Sequence, residues 1–200
     1  MATLRRVFAA VDAGFEAQVL WRGAGLDRLV DADHARLAGI AADRLRRYRW
    51  DPVLVETTYS IYGERGSIDV LALQPARRAA LVVEVKSVVP DMQSMLAGLD
   101  RKVRLLPIIL RERGWGDGHE PVSRVLFLPG DRTSRRRVER HAATFDRTLP
   151  TRTIAVKRWL ASPSGEISGI HFLSDVTATA ARHRVVAPRG DARACGRGLA

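Results

Sequence analysis

Apolar residues recur along this chain with two different periods. Leu26, Leu29, Val30, Leu37, Ile40, Ala41 and Leu45 return at helical spacing, and Arg44, Arg46 and Arg47 gather near the end of the run. This pattern predicts an amphipathic helix from Leu26 to Tyr48, broken near Asp31 and stopped by Trp50 and Pro52. VLVETTYSI (53–61) then reads as a strand and GERG (63–66) as a turn. Two further strands are expected near 67–74 and 80–87, joined through QPARRA. Met92, Met95, Leu96, Leu99, Val103 and Leu106 fit one face of a second helix, from Pro90 and Asp91 to about Arg113, with a kink at Pro107.

Beyond the loop WGDGHEP, RVLFLP (124–129) has the look of a buried strand and DRTSRRRVERHAATF (131–145) of a helix. RTIAV (152–156) and GIHFL (169–173) are read as strands. At the start, LRRVFAAVDAGFEAQVLW (4–21) holds two apolar runs around Asp12, Ala13 and Gly14, a β-hairpin pattern for which a helix is the alternative. After about Val176 the chain is rich in Ala, Arg and Gly, and disorder is expected. The order of helix, three-strand meander, helix and strand predicts an α/β fold, with a mixed central sheet flanked by helices. One domain is expected over 1–175, with an N-terminal hairpin extension over 1–25 and a basic tail over 176–200.

Composition narrows the class. At 200 residues with 46% hydrophobic content the chain can bury one ordinary core. No run of about 18 apolar residues occurs, and the N-terminus lacks a signal-peptide pattern, so a cytoplasmic protein without membrane partners is expected. The single cysteine, Cys195, excludes an internal disulfide and a cysteine-ligated metal. A net charge of +11 favours a polyanion such as nucleic acid. Arginine supplies 30 of the 33 basic residues, a bias that a GC-rich genome also produces. The three lysines, Lys86, Lys102 and Lys157, are therefore the more informative cations.

Lys86 lies in GSIDVLALQPARRAALVVEVKS (66–87), where charge interrupts an apolar hairpin. A hairpin turning between Ala76 and Arg77 places Asp69 opposite Glu84 on one face. Lys86, two residues on, shares that face, while Val83 and Val85 point to the other. Two carboxylates about 5 Å apart repel unless they are neutralised, and one lysine compensates only one of them. A divalent cation would complete the balance, and carboxylate oxygens suit Mg²⁺ or Mn²⁺. Such an ion can activate water for phosphodiester hydrolysis, assisted by a lysine.

Asp69, fourteen residues, then Glu84-Val85-Lys86 resembles the PD-(D/E)xK nuclease core, with Ile68 in the place of that family's proline. The resemblance implies a restriction-endonuclease-like α-β-β-β-α-β core and a metal-dependent nuclease acting on DNA. It implies that Asp69, Glu84 and the Val85 carbonyl hold Mg²⁺ (or Mn²⁺), and that Asp69, Glu84 and Lys86 carry catalysis. A further acid is expected from the first helix or strand, with Glu56, Asp33 and Asp43 as candidates. Gln93 and Lys102 on the second helix are candidates for phosphate or metal-water contacts. GERGSIDVLA, VVEVKS and DMQSMLAGLDRKVRL also look like the C-terminal region of bacterial helix-turn-helix regulators, over roughly 1–175.

Three functional classes stay open: a nuclease, a non-catalytic DNA-binding or transcription-regulatory module on the same fold, and a mainly structural or dimerising domain, with a homodimer as its partner form. For Asp69, Glu84 and Lys86 the plainer reading is a charged patch on a half-exposed sheet. Arg135, Arg136 and Arg137, with Arg132 and Arg140, are candidates for nucleic-acid contact, against the plainer reading of a solvated helix face. The histidines show no metal-ligand spacing, although His34 lies near the expected site.

Overall fold

The computed structural model describes residues 24–88, 91–118 and 120–173. The hairpin expected over 4–21 and the tail over 176–200 lie outside the described residues. Ala24 and Gly25, expected to belong to the N-terminal extension, instead begin helix α1 (Ala24–Arg47), which runs through Asp31 without the expected break. Strands β1 (Val53–Ile61), β2 (Glu64–Gln74) and β3 (Ala79–Val85) follow, then helix α2 (Met92–Arg113) and strand β4 (Val122–Pro129). Helices α3 (Arg132–Arg140), α4 (Ala142–Thr148) and α5 (Thr153–Ala161) precede β5 (Ser168–Leu173).

The five strands form one mixed sheet in chain order: β1, β2 and β3 are antiparallel, and β3, β4 and β5 are parallel. The turn between β1 and β2 is tighter than expected. Tyr62 and Gly63 both have positive φ, the conformation that matches hairpin twist, so Glu64 to Gly66 join the ladder opposite Ile61 to Tyr59 rather than forming the turn. Between β2 and β3 a 3₁₀ turn, Pro75–Arg77, ends at Arg78 in the left-handed region (φ 49°).

Helices cover both faces. On one, Leu37, Ala41 and Leu45 of α1 and Val156, Trp159 and Leu160 of α5 pack against Val70, Val83, Val85 and Phe127. Trp50 is fully buried here, donates its indole N–H to the Leu160 carbonyl at 2.9 Å, and meets the Trp159 ring at 5.5 Å. On the other face, Met95, Leu99, Leu106 and Ile109 of α2, Val138 of α3 and Phe145 of α4 pack against Ile68, Leu71, Val82 and Leu126. The result is a three-layer α/β/α architecture.

Two later elements depart from their local pattern. RTIAV, with three β-branched residues, suggests a strand, but 153–161 is helical because Val156, Trp159 and Leu160 form an i, i+3, i+4 stripe on the sheet. Ile154, between them and the start of the helix, is exposed. The helix expected over 131–145 divides at His141 (φ −114°), so that Val138 and Phe145 both reach the core. Helix α2 runs through Pro107 uninterrupted. It is capped by Asp91, whose side chain accepts from the Gln93 and Ser94 N–H groups, and by Gly114 in the left-handed region. No helix among the described residues is long and apolar enough to cross a membrane.

Candidate functional site

The register of the central hairpin carries two acids to the same place. Val70 pairs with Val83 and Leu71 with Val82, so that Asp69 and Glu84 occupy the next facing position, as the symmetric turn predicts. The neighbouring ladder is interrupted beside them. Val55 pairs with Val70 and Thr57 with Ile68, but between these pairs Glu56 adopts a left-handed backbone (φ 51°) opposite Asp69. The buried side of the strands changes here as well: Val53 and Val70 pack on the α1 side, whereas Tyr59, Ile61 and Ile68 pack on the α2 side.

Asp69 turns this position into a fixed point. One carboxylate oxygen accepts the Val85 backbone N–H at 2.8 Å, so β2 grips β3 just beyond the last paired residues. The other oxygen accepts from Lys102 Nζ at 3.1 Å. The same ammonium lies 2.5 Å from Glu84 Oε2, while Lys86 Nζ lies 2.7 Å from Glu84 Oε1. His34 Nε2, from α1, approaches Asp69 Oδ2 at 3.9 Å. Asp69, Glu84 and Lys102 are only 7%, 5% and 9% exposed, and Lys86 forms the wetter rim of the group.

Charge balance explains how these groups survive burial. Lys102 faces both carboxylates and Lys86 faces one, so two ammonium groups match two acids, each held by charge-assisted hydrogen bonds or close ion pairs. Burial pulls the Lys102 pKa down, but the attraction of Glu84 and Asp69 and the bonds to them outweigh it, leaving the pKa above its ordinary value. Lys102 is therefore a firm cation at neutral pH. The expected balance counted Lys86 alone, and Lys102 supplies the second counter-charge.

The donor set still suits a hard divalent ion. Asp69 Oδ1 and Glu84 Oε2 converge on one point, and carboxylate oxygens are what Mg²⁺ and Mn²⁺ prefer. That point is held by the Lys102 ammonium. Among the described residues, no group of three or more His, Cys, Asp and Glu side chains is arranged to hold a metal. The backbone N–H of Val85 is committed to Asp69, and its side chain lies in the α1-side core.

The accessory candidates fall elsewhere. Glu56 is exposed, and among the described residues it makes no ion pair or hydrogen bond with the two acids. Asp33 pairs with Arg36 at 3.7 Å and Asp43 with Arg46 at 2.9 Å, one helical turn along α1 in each case. Gln93 is exposed on the first turn of α2, where its backbone N–H donates to the Asp91 cap. Lys102 joins the centre as its main counter-charge rather than as a peripheral contact. A signal for this was present in the sequence: Lys102 follows Leu99 by three residues and precedes Leu106 by four, inside the apolar stripe of α2. A lysine at such a position needs buried acids.

Helix α3 starts at the carboxyl end of β4, beside the carboxyl end of β3 that carries Glu84. Its arginines do not act alike. Arg135 lies over the Phe172 ring at 4.5 Å and donates to the Gly130 carbonyl, Arg137 is partly buried, and Arg132, Arg136 and Arg140 are exposed.

Fold and site together define a three-layer α/β protein with a buried, charge-balanced Asp–Glu–Lys centre at the carboxyl edge of its parallel strands. Neither protein-family models nor curated proteins match the chain.

Proposed function

We propose that the protein is a metal-dependent, nuclease-like protein that hydrolyses DNA phosphodiester bonds, built on a restriction-endonuclease-like core formed by α1, β1 to β3, α2 and β4. The observation that carries this reading is the convergence of Asp69 Oδ1 and Glu84 Oε2 from adjacent strands, with Lys86 2.7 Å from Glu84 at the open rim. Buried paired acids with a partly exposed lysine match the demands of phosphodiester hydrolysis better than those of a structural patch.

Asp69 and Glu84 would hold Mg²⁺ or Mn²⁺, with the Val85 carbonyl as a backbone donor. When bound, the ion supplies polarisation of the phosphoryl oxygen and a lowered pKa for water. Lys86 orients a water or steadies the charge that develops on the phosphoryl oxygens. Asp69, tied to the Val85 N–H, holds the geometry of the pair. The exposed arginines of α3 lie at the same sheet edge and would take the DNA backbone.

The test is incubation of supercoiled, linear and single-stranded DNA with chelator-stripped protein, with and without Mg²⁺ or Mn²⁺, beside Glu84→Gln. Metal-dependent nicking that disappears in a folded Glu84→Gln protein supports the assignment; undiminished nicking by pure Glu84→Gln removes it.

A second reading has its own support. Lys102 and Lys86 balance the two acids without a metal, which favours a non-catalytic DNA-binding or transcription-regulatory module on this fold. A salt-sensitive gel shift that survives chelation, without nicking under any condition, would favour that module.

A further inference from the structure

Lys102 is misplaced if α2 is only a packing helix. Its neighbours along the buried face are Met95, Leu99, Leu106 and Ile109, an apolar series in which a charged side chain is costly unless paired. The cost is offset by two carboxylates at once, with Nζ 3.1 Å from Asp69 and 2.5 Å from Glu84. The atoms that Lys102 bridges are the oxygens a divalent ion would need. An ammonium and a divalent cation cannot share that point, because like charges a few ångströms apart in a buried site repel strongly. The Lys102 ammonium is held by these two ion pairs at the end of a flexible four-carbon stem, so the charge that a metal would displace is carried by a side chain and not by backbone.

We infer that Lys102 is an internal counter-ion that keeps the Asp69–Glu84 pair assembled in the metal-free protein and is exchanged out of the site when a divalent ion enters. The inference rests on the metal-binding reading of this site. It gives the protein a device that reading lacks: the chain folds without metal, and occupancy is set by competition between an intramolecular cation and the free ion. Loading is then weaker than two buried carboxylates alone would give, so the site fills only as divalent-ion concentration rises.

Two measurements test the exchange, both with Mn²⁺ alone as the probe. In the first, the wild-type protein is treated with an amine-acylating reagent and modification is followed by mass spectrometry, with Lys157 as internal reference. Lys102 should be protected in chelator and react at least about tenfold faster in saturating Mn²⁺, while Lys157 stays constant. Continued protection of Lys102 in protein that calorimetry shows to be Mn²⁺-bound overturns the exchange and leaves the metal reading intact. In the second, Lys102→Met is titrated with Mn²⁺ beside the wild type. The expected result is a Kd at least about tenfold lower in the variant, together with a larger Mn²⁺-induced rise in Tm. Equal or weaker binding by Lys102→Met overturns the inference alone. Absence of Mn²⁺ binding from both proteins overturns the inference and the metal reading together. A Lys102→Met protein that folds only with Mn²⁺ supports the exchange, since the ion then replaces the missing counter-charge.

Discussion

Asp69 accepts the backbone N–H of Val85 at 2.8 Å, a side-chain bond from one strand to its neighbour beyond the point where their ladder pairing ends. This contact gives a carboxylate two tasks, closing the hairpin edge and presenting its second oxygen beside Glu84. A change at Asp69 therefore acts on the strand pairing and on the charge balance of Lys102 together.

Asp69→Ala removes the acceptor for a buried N–H and half of the counter-charge of Lys102. The expected loss is about 2–4 kcal/mol, from an unsatisfied buried donor plus a weakened buried ion pair. Urea denaturation should show a lower midpoint with an unchanged m-value. An unchanged midpoint would mean that water replaces the carboxylate at no cost.

His171, on β5, gives a pH dependence unrelated to the candidate site. It is fully buried, its Nε2 lies 3.0 Å from Arg44, and its ring packs on Phe127 at 4.8 Å. Burial, together with the charges of Arg44 and Lys157, pushes its pKa down to about 4 from 6.5. Between those values the unfolded chain binds the proton and the folded one does not, so stability is full above about pH 6.5 and falls as pH drops toward 4. The contribution is at most about 3 kcal/mol. Thermal unfolding from pH 7 to 4 should show the decline, and His171→Gln should flatten that part of the curve.

Gly169 sits where β5 passes the start of α5. A Cβ there would lie 2.7 Å from the Thr151 carbonyl oxygen and 2.7 Å from Val156 Cγ2, and the first of these belongs to backbone bridged to Gly169 itself. Gly169→Ala should cost about 1–3 kcal/mol through forced displacement. A Tm equal to that of the wild type would show that α5 shifts freely.

On α3, Arg136 and Arg140 are exposed one turn apart, with no ion pair among the described residues. If they contact phosphates, replacing both with Ala should weaken DNA binding regardless of sequence. It should also lower the slope of log K against log salt by about two. An unchanged slope would return these residues to a solvated helix face.

Much of the architecture is legible along the chain because backbone geometry converts spacing into direction. The two-residue period of β2 and β3, with a turn centred near Arg77, sets Val70 against Val83, and this alone brings Asp69 and Glu84 to facing positions. The boundaries of β1 and the extent of α2 follow in the same way from their apolar periods. The segment 152–156 misleads because β-branched residues favour extended backbone locally, while packing of Val156, Trp159 and Leu160 on the sheet outweighs that preference. What completes the site is decided only in three dimensions. Lys102 meets Glu84 across 18 residues of chain and Asp69 across 33, because α2 crosses the sheet face that carries both acids. Local periodicity places that lysine on the buried side of its helix, but only the packing of helix on sheet selects which buried charges it meets.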